Sequence, residues 1–147
     1  MYLTYSEYQT YGGQLGQTAF EMYEFEASAQ VDFYTFNRLK KDGGFTEQSE
    51  EVQTAVKRCV YRLVKLLQAR DTILATSGDD GTGDNVSVAG ITSQSNDGVS
   101  VSYNVLSASE ASSKVDTDIE RTISTYLTAC KNSLGQRLLY RGIYPDE

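Results

Sequence analysis

Apolar residues return every three or four positions along three stretches of this 147-residue chain and every second position along one. The first segment opens with Thr4-Tyr5-Ser6-Glu7, a capping box in which Thr4 caps and Glu7 reaches back, and the short helix it starts stops at Gly12-Gly13. A second helix is predicted from Gln17 or Thr18 to about Asn37. Phe20, Tyr23, Ala27, Val31 and Tyr34 keep its apolar spacing, and Glu21, Glu24, Ser28 and Asp32 form a polar, acidic stripe beside them. Lys40 to Gly44 reads as a loop. The clearest helix follows, from about Ser49 to Thr76, with Val52, Val56, Cys59 or Val60, Leu63, Leu67 and Leu74 along one side. Arg58, Arg62 and Lys65 recur at helical spacing on another side, and Glu50 and Glu51 lie at the N-terminal end, where the helix dipole favours them.

Past Thr76 the pattern changes. Residues 77–85, Ser-Gly-Asp-Asp-Gly-Thr-Gly-Asp-Asn, hold no apolar residue and read as a loop. The period then becomes two. Val99, Val101, Tyr103 and Val105 alternate with Ser100, Ser102 and Asn104, Val86 and Val88 begin a partner run, and Asn96-Asp97-Gly98 is a hairpin-turn signal. Helical period resumes near Lys114 with Val115, Ile119, Ile123, Tyr126 or Leu127, Cys130 and Leu134, and Gly135 closes it. The tail Leu138-Leu139-Tyr140-Arg141-Gly142-Ile143-Tyr144 is short, apolar and aromatic. It reads either as an arm that needs something to pack against or as a segment folded back on its own domain. The expected fold is mainly α: a bundle of three to four helices in one domain over 1–147. The helical body covers about 4–76 and 114–134, a loop and inserted β-hairpin about 77–105, and an extended C-terminal arm about 136–147.

Composition narrows the function. There is no histidine, which removes imidazole-based triads, Cys-His pairs and most catalytic zinc sites. No Gly-rich loop ends in Gly-Lys-Ser/Thr, and Gly81-Thr82-Gly83 lacks the third glycine of a dinucleotide fingerprint. Asp79, Asp80 and Asp84 invite a calcium reading. Counting from Asp80, however, Asn85 stands where an EF-hand requires glycine and Ile91 where it requires the bidentate glutamate. No catalytic, cofactor or metal residue is assigned, and no enzyme is expected. Cys59 and Cys130 lie on apolar helix sides and are expected to be small buried hydrophobes rather than a disulfide. No stretch of about 18 apolar residues suits a membrane span, and nothing resembles a signal peptide, so synthesis in a cytoplasm is expected.

The net charge of −7 argues against a protein that grips phosphate backbones. It is also uneven. Residues 1–50 carry 3 cations and 8 anions, whereas residues 51–74 carry 5 and 2. The acidic stripe Glu21, Glu24 and Asp32 and the basic stripe Arg58, Arg62 and Lys65 are therefore expected to face outward and to meet either within the monomer or between neighbouring copies, with Arg62 opposite Glu24 as the pairing between copies. Ten of the 16 aromatics precede residue 37: Tyr2, Tyr5, Tyr8, Tyr11, Phe20, Tyr23, Phe25, Phe33, Tyr34 and Phe36. One helix face cannot bury them all, so they read as interface residues, with a core rim as the alternative.

Met1-Tyr2-Leu3-Thr4-Tyr5-x-Glu7-Tyr8, Gly12-Gly13, Phe20 with Ala27 and Asp32, and Tyr34-Thr35-Phe36-Asn37-Arg38-Leu39 resemble the opening of the head–tail connector (adaptor) proteins of long-tailed bacteriophages of Gram-positive hosts. Val56-Lys57-Arg58-Cys59, Ser95 to Tyr103 and Leu138 to Gly142 continue the resemblance in order along nearly the whole chain. It implies a structural virion protein at the neck, between capsid portal and tail. Such a protein forms a homo-oligomeric ring, typically of twelve subunits, beneath the portal protein. The ring extends the channel through which genomic DNA passes without specific binding, and it docks a stopper or tail-completion protein. The resemblance maps a portal-binding arm onto Leu138, Leu139, Tyr140, Arg141, Ile143 and Tyr144, and a hairpin contact element onto Val99, Val101 and Tyr103. A cytosolic protein-binding adaptor or regulatory domain without catalytic activity is the alternative.

Overall fold

The structure, a computed structural model, describes residues 1–41, 44–76, 93–96, 99–102 and 108–142. These residues are mainly helical. α1 (Tyr5–Thr10), α2 (Gln17–Tyr34), α3 (Glu50–Thr76) and α4 (Ala108–Leu127) follow in chain order, with a 3-10 turn, Phe45–Glu47, before α3. α3 is the spine, packing against both α2 and α4. Ser93–Asn96 and Val99–Ser102 (β1 and β2) pair antiparallel between α3 and α4, Asn96 opposite Val99 and Ser93 opposite Ser102. The remainder of the expected 77–105 loop and hairpin, including Tyr103 and the Asp79, Asp80, Asp84 cluster, lies outside the described residues.

α1 begins as its capping box dictates. The Thr4 side chain accepts the Glu7 N–H, and the Glu7 carboxylate accepts the Thr4 N–H at 2.9 Å. Lys57 of α3 donates to the same carboxylate at 2.6 Å, tying α1 to the spine. Burial pushes the Glu7 carboxyl up, but its bonds to Lys57 and Thr4 outweigh that and hold it below its ordinary value. α1 ends in a Schellman turn, with the Gly13 N–H donating to the Tyr8 carbonyl at 2.9 Å and Gly12 left-handed at φ 85°. A Cβ on Gly13 would lie 2.2 Å from the Tyr8 ring, so only glycine lets the chain cross that buried tyrosine.

The core follows the predicted periodicities. α3 contributes Val52, Val56, Cys59, Val60, Leu63, Val64 and Leu67, α2 contributes Phe20, Ala27 and Val31, and α4 contributes Val115, Ile119, Ile123 and Leu127. Tyr2, Leu3, Tyr8, Leu39 and Leu138 complete it from outside these three helices. Thus both ends of the described chain enter the same apolar cluster.

Two boundaries differ from expectation. α2 stops at Tyr34, not near Asn37, because Phe36 and Asn37 turn left-handed at φ 54° and 57°. α4 runs from Ala108 to Leu127 rather than over 114–134. After Leu127 the chain reverses in a tight loop, where the Asn132 side chain and backbone hydrogen-bond Gln136, and Gly135 (φ 79°) makes the bend. Leu134, expected on the helix's core side, is exposed at the tip of this loop.

The reversal also overturns the extended arm as far as Gly142. Leu138 is fully buried and Leu139 packs against the core. Arg38, only 2% exposed, lies beneath the segment. Its Nη1 donates to the carbonyls of Arg137 (3.3 Å), Leu138 (3.4 Å) and Tyr140, and its Nη2 to that of Gly142 (2.9 Å). A guanidinium stays charged even when buried, so it needs several acceptors, and the returning backbone supplies them. Residues 143–147, Ile143 and Tyr144 among them, lie outside the described residues.

A tail that belongs to the core makes a measurable prediction. Leu138→Ala is expected to lower unfolding free energy by about 3 kcal/mol, read from urea denaturation. A change below about 0.5 kcal/mol, the behaviour of a surface position, would contradict the docked tail.

Candidate functional site

α2 carries two opposed faces, and their chemistry is the reverse of what the acidic stripe led us to expect. Glu24, Ser28 and Asp32 point inward. Glu24, 2% exposed, accepts the Tyr2 N–H at 2.7 Å, the Leu3 N–H at 3.3 Å and the Ser28 hydroxyl at 2.6 Å, all on Oε1. Asp32 accepts the Tyr2 hydroxyl on Oδ1 and pairs with Lys40 at 2.6 Å through Oδ2. Burial, followed by the bond to Asp32, pushes the Tyr2 phenol far above its ordinary value and keeps it a donor. Of the expected acidic stripe only Glu21 is exposed, hydrogen-bonded to Gln17 at 2.9 Å. The pairing of Arg62 with Glu24 between copies is therefore excluded. Glu24 is occupied inside its own chain, accepting the N–H groups of the buried Tyr2 and Leu3, and a buried N–H needs such an acceptor.

The outer face of α2 is apolar. Met22, Phe25 and Phe33, with Phe36 just past the helix end, follow at spacings of three, eight and three, and all are exposed. Phe25 is 78% and Phe33 72% exposed, high for phenylalanine. The crowd of early aromatics thus divides. Tyr2, Tyr8 and Phe20 are core, and Tyr5, Tyr23 and Tyr34 pack against it. The Tyr8 and Phe20 rings lie 4.6 Å apart. Phe25, Phe33 and Phe36 face solvent.

The basic row lies where its spacing placed it. Arg58, Arg62 and Lys65 are exposed on the side of α3 opposite its core residues. Lys65 stands 5.2 Å from the Tyr61 ring centroid, while Arg58 and Arg62 have no ion-pair partner among the described residues. Arg70, further along α3, is committed to its own fold. It binds Glu26 of α2 at 2.9 Å and Asp71 at 3.4 Å.

Of the expected arm residues, Tyr140 and Arg141 are exposed, and Arg141 lies 3.9 Å from Glu120 of α4. Val99 and Val101 are on β2, opposite Asn96 and Gln94. Two open clefts mark the surface of α4 and its seam with α3. One, of about 530 Å³, is lined by Thr117, Glu120, Arg121, Ser124, Thr125 and Thr128. The other, of about 480 Å³, is lined by Glu50, Glu51, Thr54, Ala55, Arg58 and Tyr126. Among the described residues no group of three or more His, Cys, Asp or Glu is placed to hold a metal ion. No described helix is long and apolar enough to cross a membrane.

Cys59 is buried, and its burial, with the neighbouring Cys130, pushes its thiol up to about 12. Burial and Glu51 raise that of Cys130. A raised pKa starves a thiol of thiolate, so neither has the low-pKa character of a nucleophile.

Two measurements follow from this geometry. Glu24→Ala strands two buried N–H donors and is expected to cost about 3 kcal/mol of stability, with faster hydrogen exchange at Tyr2 and Leu3. An exposed glutamate would show neither effect. With a thiol reagent at pH 8, Cys59 is expected to react only on unfolding. Rapid labelling of Cys59 in the native protein would contradict the buried position.

No family model, no curated protein and no solved structure matches this chain.

Proposed function

We propose that this chain is a structural subunit of a bacteriophage neck. It forms a ring, of about twelve copies by the resemblance of its sequence, that lies beneath the portal protein, prolongs the DNA channel and seats a stopper or tail-completion protein. The observation that carries this reading is α2, whose outward face is as apolar as its inward one. A helix apolar all round is normally covered on both sides. Here one side is covered by α3, and the other presents Met22, Phe25, Phe33 and Phe36 to solvent. A subunit built for assembly has that property. The net charge of −7 suits a wall past which DNA slides, since an acidic surface repels phosphates.

The docked tail modifies the portal contact. Tyr140 and Arg141, exposed on the segment held by Arg38, would meet the portal from the body of the subunit, with Ile143 and Tyr144 beyond them. The 77–105 insertion, through Val99, Val101 and Tyr103, supplies a further contact with a neighbour. A cytosolic adaptor would use the same α2 stripe for a single partner, and stoichiometry separates the two readings.

Mixing the protein with purified portal and imaging by electron microscopy is expected to reveal ring density at the portal's narrow end. Folded protein that adds no density there, or that binds as one copy, would overturn the neck reading.

A further inference from the structure

The C-terminal ends of α1 and α2 form the same turn from different residues. In each, the second residue beyond the cap donates to the carbonyl five residues back: Gly13 to Tyr8 and Asn37 to Asp32, both at 2.9 Å. The residue between must be left-handed. In α1 it is Gly12 at φ 85°, the residue that tolerates this without cost. In α2 it is Phe36 at φ 54°, a bulky side chain where a left-handed backbone is an outlier. The turn sets the Phe36 ring 5.2 Å from the buried Arg38 guanidinium and leaves the residue 46% exposed. It adds a fourth exposed apolar residue, just past the end of α2, to Met22, Phe25 and Phe33 on the helix. At ~200 Å² per aromatic side chain, the three rings leave roughly 400 Å² uncovered, about half of one partner's share of a standard interface. Local strain retained at an exposed apolar residue is a mark of function.

The same chain offers a matching surface. Arg58 and Arg62 have no ion-pair partner among the described residues. With Lys65 they span about 10 Å of helix, and Phe25 to Phe33 spans about 12 Å. Cations over ring faces already recur within the subunit: Lys65 lies 5.2 Å from the Tyr61 centroid and Arg38 5.2 Å from the Phe36 centroid. Glu21, exposed beside the stripe, adds the charge a guanidinium would seek, and the stems of Arg and Lys cover apolar area.

Resting on the ring-subunit reading, we propose that the α2 stripe Met22, Phe25, Phe33 and Phe36 of one copy receives the α3 face Arg58, Arg62 and Lys65 of the next. The two patches differ, so the contact is head-to-tail, the kind that builds a ring when the rotation between copies closes.

The test uses the full chain in a Cys130→Ser background, with Phe25→Cys on one preparation and Arg62→Cys on another, mixed and treated with a short bismaleimide. Mixed dimers in clear excess over both self-pairs are expected. A predominance of Phe25→Cys self-pairs, or no cross-linked dimer at all, would overturn the proposed contact. Adding Phe36→Gly to the Phe25→Cys chain relieves the strained turn. It is expected to leave the melting temperature unchanged or higher while cutting the mixed dimer at least fivefold. An undiminished yield would remove Phe36 from the interface. The wild-type portal experiment is read separately: ring density there without mixed cross-links would keep the neck reading and discard this pairing of faces.

Discussion

A buried guanidinium organises this fold. Arg38 cannot shed its charge, and taking an ion out of water costs several kcal/mol unless acceptors surround it. The carbonyls of Arg137, Leu138, Tyr140 and Gly142 surround it. They do so only if the chain reverses after α4 and lies back across the end of α2. The tight loop at Asn132–Gln136, the early end of α4 and the burial of Leu138 all follow from that one requirement. Charged hydrogen bonds contribute about 1.5–3 kcal/mol each, so the arrangement is stable only when several form together.

The same logic operates at the other end of the chain with opposite sign. Glu24 and Asp32 are buried acceptors, and Tyr2 and Leu3 bring the donors. α2 and the residues just past it thus hold both chain ends, which is why α2's polar residues turn inward. Its apolar outer residues Met22, Phe25 and Phe33 stay outside the core. Neither inward carboxylate is available to a neighbouring copy. The exposed surface is therefore largely aromatic on α2 and cationic along the outer row of α3.

Much of the scaffold was legible in the linear pattern. Thr4 and Glu7 announced the first helix, since a capping box is a local interaction that needs nothing distant. The three-or-four spacing of Val52, Val56, Leu63 and Leu67 announced α3 and its buried side, with the Arg58, Arg62, Lys65 row opposite. The ends of α2 and α4 were less legible. A left-handed Phe36 defies local preference, and the end of α4 is set by where Leu138 must arrive. Arg38 gave no sign of its role, because its partners are 99 to 104 residues away along the chain.

The amino-acid sequence alone thus determined the helical period of each segment, the cap of α1 and the absence of imidazole chemistry. These depend on residue identity and on neighbours within one or two turns. The tertiary structure decided which of two stripes on α2 faces the core, and whether the tail projects or docks. Both α2 stripes are regular enough to be buried. The polar one went in beside Phe20, Ala27 and Val31 because buried N–H groups and a buried hydroxyl needed its carboxylates, and an interior donor without an acceptor is costly.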